Sequence, residues 1–268
     1  MQRNTPYRLL VAAAAIIIAH AGDAQIALEM TTKHREYLQY ESMPATLTLQ
    51  NQSGLDIEFG RYDNEANLRL NVEFDRGQIE ERIVDTREVL ETTVRPGESA
   101  RFTVDLSRLF DLRTPRRYLF SAAVVWRSRD YPSKPRFVSV VNGFKIAGER
   151  RGLPMSPETV REYELRYQSR SETEHLFLTI NGETEDVCFG VFDLGPLIRV
   201  YEPIMKFDHV GNVRVIHHSG RGVNTHNYLI SDEKGVRHLE ALFKTLEDIE
   251  ITGDGLKDKA PPGFELDR

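Results

Sequence analysis

Along residues 26–59 apolar side chains recur at every second position. Ile26, Leu28 and Met30 alternate with Ala27 and Glu29; Ala45, Leu47 and Leu49 alternate with Thr46, Thr48 and Gln50. After Asn51-Gln52-Ser53-Gly54, Leu55, Ile57 and Phe59 alternate with Asp56 and Glu58. The period returns at Leu68, Leu70, Val72 and Phe74, and beyond Pro96-Gly97 at Phe102, Val104 and Leu106. Successive strand side chains point to opposite faces, so this period marks strands with one dry and one wet face. Short strands parted by Gly, Pro and Asn turns predict an antiparallel sandwich over residues 25–147.

The second half repeats the pattern after a Gly/Pro-rich stretch, Gly148–Pro157, which reads as a linker. Tyr163, Leu165 and Tyr167 alternate with charged residues, and Leu176, Leu178 and Ile180 lead into Asn181-Gly182. An Asn-Gly pair between two such runs signals a hairpin, with Val187–Phe192 as the returning strand. Ile204–Phe207 and Val213–Ile216 form a second candidate hairpin, joined by Asp208-x-x-Gly211. The same turn pattern recurs at Asp232-x-x-Gly235, after His226–Ile230. Beyond it Val236, Leu239, Leu242, Phe243, Leu246 and Ile249 fit helical spacing, which predicts a C-terminal helix, although the repeat favours one more strand. The fold expected is therefore mainly β: a sandwich, a linker at 148–157, a β-rich domain at 158–252 and a disordered tail at 253–268.

One local pattern sharpens the first domain. Leu112-Arg-Thr-Pro115-Arg-Arg-Tyr118 precedes Leu119–Trp126, a run of strand formers. A Leu, a turn and a Tyr opening a central strand resemble the tyrosine corner of immunoglobulin-like and fibronectin-like sandwiches, whose phenol hydroxyl caps a loop carbonyl. Residues 25–147 thus resemble the immunoglobulin-like accessory domains of secreted bacterial proteins. That resemblance implies a fold and carries no activity. The two Asp-x-x-Gly turns resemble those of sialidase-type propeller blades, but the full Ser-x-Asp-x-Gly pattern is absent at both, and about 100 residues cannot hold four blades.

The N-terminus changes the picture most. Arg3 and Arg8 form a basic region ahead of an apolar run, Leu9–Ala19, followed by Ala19-His20-Ala21 and then Gly22-Asp23-Ala24. This is the form of a secretory signal peptide, placed at residues 1–24; a retained signal anchor is the alternative. No other segment is apolar enough to span a membrane, so the mature chain is expected to be secreted or periplasmic. Cleavage after Ala21 leaves 33 basic against 41 acidic side chains. That excess argues against general nucleic-acid binding. Cys188 is the single cysteine, so no intramolecular disulfide can form and the cores must hold the fold themselves.

Candidate chemistry concentrates late in the chain, where His209, His217, His218, His226 and His238 make five of the eight histidines. Asp208, His217 and His226 are the candidates for a hydrolytic site, with Glu202 and His209 nearby in sequence. No H-E-x-x-H or paired C-x-x-C spacing accompanies them, so no metal and no cofactor is expected. His217 and His218 are adjacent and must face opposite ways on a strand. Cys188 lies within a strand run, with no cation or helix start to activate it as a nucleophile. Arg113, Arg116, Arg117, Arg127 and Arg129 form a basic band suited either to solvating a sheet edge or to an acidic partner. Asn51-Gln-Ser53 matches a glycosylation sequon. The expectation is a non-enzymatic interaction protein for a polysaccharide or another envelope protein; a secreted hydrolase using the histidine-rich hairpins is the alternative.

Overall fold

The computed structural model describes residues 26–59, 65–74, 77–84, 93–184, 187–245, 249–252 and 255–258. The leader at residues 1–24 lies outside them.

The first sandwich runs β1 (Ile26–Thr32), β2 (Glu36–Leu38), β3 (Pro44–Asn51), β4 (Ile57–Glu58), β5 (Asn67–Phe74), β6 (Gln78–Val84), β7 (Thr93–Val94) and β8 (Ser99–Asp105). A single helical turn, α1 (Leu106–Leu109), follows, capped by the Asp105 carboxylate on the Ser107 amide. Then come β9 (Arg117–Trp126), β10 (Arg129–Pro132) and β11 (Arg136–Val141). One sheet has the order β1-β3-β8, the other β2-β11-β9-β5-β6 with β10 added to β9. Ile26, Leu28, Met30, Leu47, Leu49, Leu68, Leu70 and Val72, the alternating apolar set, are buried in one core. Phe120, Val124 and Trp126 of β9, beside β5 in the larger sheet, join the same core.

Two local features fix the corners. The Tyr118 hydroxyl donates to the Thr114 carbonyl at 2.8 Å, four residues upstream, as a tyrosine corner requires. Asn51 is 0% exposed. Its amide donates to the carbonyls of Leu55 at 2.8 Å and Val94 at 2.7 Å. An amide so enclosed cannot accept a glycan, which corrects the sequon reading; its work is to satisfy two turn carbonyls.

The second unit is made of hairpins: β12 (Phe144–Leu153), β13 (Ser156–Arg170), β14 (Thr173–Asn181), β15 (Cys188–Pro196), β16 (Ile204–Phe207), β17 (Val213–Gly220), β18 (Val223–Asp232) and β19 (Gly235–Thr245). They form two four-stranded antiparallel sheets, β12-β13-β14-β15 and β16-β17-β18-β19. Tyr163, Leu165, Leu176, Leu178 and Ile180 from one pack on Val213, Val215 and Leu229 from the other.

Three expectations are corrected. The stretch expected as a linker, 148–157, is most of the β12–β13 hairpin, with Pro154-Met155 at its tip. Its glycines serve the pairing: a Cβ on Gly152 would lie 2.3 Å from the Pro157 carbonyl oxygen, at a register shift between Gly152 and Leu153. Where a helix was expected over 236–249, residues 236–245 belong instead to β19, set by the Asp232–Gly235 turn in register with β18, and 246–248 lie outside the described residues. Gly255–Asp258, placed in a disordered tail, returns as β21 against β20 (Ile249–Thr252). The hairpin at Asn181-Gly182 is present with a wider loop than two residues, closed by Gly182 N–H to the Val187 carbonyl.

Candidate functional site

The histidine candidates do not converge. On β17, Val213, Val215 and His217 face the core, while Arg214, Ile216 and His218 face the other way, because alternate residues part to opposite faces. His226 pairs with Ile216 and so lies on the face opposite His217. His217 is 2% exposed and its Nε2 meets the Pro196 carbonyl at 3.0 Å. Burial depresses its pKa to about 4, so the ring is neutral at ordinary pH. His226 is 1% exposed and its Nδ1 lies 3.0 Å from an Arg214 nitrogen. Asp208 caps its own turn, accepting from the Val210 amide at 3.0 Å and the Asn212 amide at 2.7 Å. The three are a core residue, an outer-face residue and a turn cap. Among the described residues no three His, Cys, Asp or Glu side chains are grouped to hold a metal ion. Cys188 sits on β15 with its thiol pKa pushed up by burial, the wrong direction for a nucleophile.

The basic band divides. Arg113, Arg116 and Arg117 gather at the tyrosine-corner end of β9, where Arg113 pairs with Asp111 at 2.8 Å and Arg117 lies 3.8 Å over the Phe137 ring. Arg127 and Arg129 stand past its far end, with Arg127 4.8 Å over the Trp126 ring. The ten residues of β9 span about 30 Å, so the five arginines form no single patch.

A site emerges where sequence reasoning did not look, on the seam between the two cores. β13 presents Tyr163, Leu165 and Tyr167 to its own core, so Glu162, Glu164, Arg166, Gln168 and Arg170 point outward. Outward polar residues are ordinarily wet, yet Glu164, Gln168 and Arg170 are buried, with Glu164 at 5% exposure. The chain segment Glu36–Glu41 of the first sandwich meets Gln168 and Arg170, while Glu164 is held by Lys145 and Arg166 of its own sheet. Arg170 pairs with Glu41 and lies 4.5 Å from the Phe177 ring and 5.7 Å from the Tyr37 ring. Asp193, 3.8 Å from Arg170, also holds His175 at 3.0 Å. Gln168 donates to Glu36 at 3.4 Å, and Arg166 to the Asn142 carbonyl at 2.9 Å.

This lock leaves a cleft on each side. One, about 330 Å³, is floored by Glu164, Thr179 and Val191 and walled by Gln39, Tyr40, Asn142, Glu162, Arg166, Asn181 and Glu183. Tyr40 holds φ 65°, a strained backbone for a bulky residue and one that recurs at binding sites. Burial pushes the Glu164 carboxyl up, but hydrogen bonds from Lys145 and Arg166 outweigh it and hold the pKa below the usual range. A carboxylate so held does not serve as the protonated general acid that glycoside cleavage needs. The other cleft, about 520 Å³, lies between the β1–β2 loop and the β13–β14 turn.

No family model and no curated protein matches this sequence. Among solved structures it is similar to the Pseudomonas fluorescens alkylpurine DNA glycosylase AlkC bound to DNA with an abasic-site analogue, at 8% identity and TM-score 0.31, over 44% of this chain and only 30% of that one. It is similar to a CARDB domain from Pyrococcus furiosus in complex with di-metal ions, at 14% identity and TM-score 0.28, over 43% of this chain and 87% of that one. It is also similar to the Bacillus subtilis sporulation control protein Spo0M, at 12% identity and TM-score 0.28, over 60% of this chain and 80% of that one. Scores this low go no further than a β-sandwich at low similarity, and no functional argument rests on them.

The polar face of β13 was visible as charge alternation from Glu162 to Arg170. Its burial was not, because the segment that covers it lies over a hundred residues earlier in the chain.

Proposed function

We propose that this chain is an exported, non-catalytic binding protein that takes a polysaccharide in the seam cleft beside Tyr40. The observation that carries the proposal is the lining of that cleft. The side-chain amides of Asn142 and Asn181 make no hydrogen bond among the described residues, and the carboxylates of Glu162 and Glu183 stand on the same wall. Planar groups that donate and accept side by side match the paired hydroxyls of a sugar ring, and the Tyr40 ring supplies an amphipathic surface for its apolar face. Pre-formed clefts with a few convergent polar groups are where ligands settle. Export rests on the apolar leader preceded by Arg3 and Arg8. A polysaccharide is preferred to an envelope protein because the walls are polar and concave, whereas a protein partner favours a broad surface with a dry centre.

The test is titration of the mature chain with a panel of neutral and acidic oligosaccharides by calorimetry. Binding is expected for at least one glycan and is lost on Asn181→Ala and Glu162→Gln at unchanged melting temperature. A folded protein that binds no glycan in the panel refutes the proposal.

A further inference from the structure

The second seam cleft has a different character. Lys33, His34 and Arg35 of the β1–β2 loop line it together with Ser169 at the end of β13, Ser171 of the β13–β14 turn and Arg136. Parallel pairing of β11 with β2, Ser139 opposite Glu36, brings Arg136 to the end of the sheet where Lys33 and Arg35 sit. The Ser139 amide donates to the Arg35 carbonyl at 2.8 Å and fixes the loop there.

Charge in this cleft is unbalanced. Arg170 is spoken for by Glu41 and Asp193. Lys33, Arg35 and Arg136 make no ion pair among the described residues, and the one carboxylate on the lining, Glu36, accepts from Gln168 instead. Three unpaired cations around one concavity, in a chain with a net charge of −6, concentrate positive potential where the molecule as a whole is acidic. His34, half-buried on the lining, has its pKa driven down to about 4 by burial first, then by Arg170 and Lys33. Guanidinium and ammonium groups without partners suit carboxylate oxygens, which arginine holds in bidentate fashion.

We infer that this cleft binds the carboxylate of an acidic sugar, so that the polysaccharide taken by the seam is a uronate-bearing one. The inference rests on the saccharide reading of the neighbouring cleft and adds the charge of the ligand. The two clefts lie on either side of the Gln168–Glu36 contact: Arg166 borders one and Arg170 the other, four residues and roughly 13 Å apart on the outward face of β13. The uncharged amides of the neighbouring cleft favour a saccharide over an acidic peptide, which would have no use for them.

The experiment uses the mature chain, an oligouronate, its carboxyl-reduced neutral counterpart and poly-glutamate. The oligouronate is expected to bind more tightly than the reduced sugar, and the difference is expected to fade as salt rises. Arg35→Ala and Arg136→Ala are each expected to weaken oligouronate binding about tenfold to a hundredfold, the loss of one charge-assisted hydrogen bond, and to leave the reduced sugar unaffected. Both side chains are exposed and unpaired, so these variants retain the fold. Bound oligouronate is also expected to raise the His34 pKa above its free value, read by ring-proton NMR, as the carboxylate offsets Lys33 and Arg170. Equal binding of both sugars, indifferent to the two substitutions, overturns the charge inference and leaves the saccharide proposal standing. Poly-glutamate binding as tightly as the oligouronate, with the same dependence on Arg35 and Arg136, overturns the assignment to a sugar. Failure of every probe overturns this inference and the saccharide proposal together.

Discussion

Replacing Arg170 is expected to unlock the seam. Its side chain is 3% exposed and the Glu41 side chain 12%, so the ion pair is dry on one side and nearly dry on the other. Arg170→Met keeps the packing between the Phe177 and Tyr37 rings but strands the Glu41 carboxylate, whose other partner is the Leu38 amide at 2.8 Å. Removing one partner of a buried pair costs about 3–5 kcal/mol, and the residual exposure of Glu41 places this case near about 3 kcal/mol. Replacing both partners, Arg170→Met with Glu41→Gln, leaves no stranded charge and is expected to cost about 1 kcal/mol or less, since apolar replacement of a buried pair is often near neutral. A urea titration of the wild type, the two single variants and the double variant closes the cycle. Trp126, the only tryptophan, reports the first core by fluorescence, while far-ultraviolet circular dichroism reports both. The two signals are expected to coincide in the wild type and to separate in Arg170→Met, because the seam then no longer couples the cores. A loss below about 1 kcal/mol in the single variant, or costs that simply add in the double, refutes the reasoning.

Tyr118→Phe removes the hydroxyl that caps Thr114 and is expected to cost about 1 kcal/mol in the same titration, while Trp126→Ala, at a buried position, is expected to cost about 3–5 kcal/mol. His217, with a folded pKa of about 4 against an ordinary 6.5, is neutral in the fold and takes up its proton more readily when unfolded. Stability is therefore full above about pH 6.5, falls as the pH drops toward 4 and levels below it, by about 3 kcal/mol in all; His217→Gln is expected to flatten that slope. In a bacterial host the chain is expected to be exported and shortened near Ala21, and mass spectrometry of the exported form finding Met1 still attached refutes the leader.

Period-two alternation was legible wherever a strand has one dry face, as from Leu28 to Val72, because burial on one side writes itself directly into residue type. The tyrosine corner was legible because its partners, Thr114 and Tyr118, are neighbours in the chain. Residues 236–249 misled because two periods coexist there. Val236, Leu239, Leu242 and Leu246 satisfy helical spacing, yet Leu239, Ala241 and Phe243 also alternate with His238, Glu240 and Lys244. The strand wins because β18 needs a ladder partner on that side and the Asp232–Gly235 turn delivers the chain to it. Gly148–Pro157 misled in the opposite way, since glycine and proline mark bulges and hairpin tips as readily as linkers. Nothing local could have revealed the seam: Gln168 and Arg170 look like any solvated strand face until Glu36–Glu41 is laid over them.

The placement of the site follows from how sandwiches are built. Each pair of sheets fills its interior with interdigitated side chains, here two separate apolar clusters. Room arises where a polar strand face meets a second unit, because charged side chains pair at a few points instead of tiling the surface. Arg170 with Glu41 is such a point, and the clefts are what remains on either side of it. Both clefts draw lining residues from each unit: Tyr40 and Asn181 in the first, Arg35 and Ser171 in the second. Affinity then depends on the distance between walls, which neither unit sets alone. A ligand that touches both walls stabilises the closed seam in proportion to its own binding free energy. An Arg170→Met chain with its two cores still folded is therefore expected to lose affinity in both clefts, although Arg170 contributes no free charge to either.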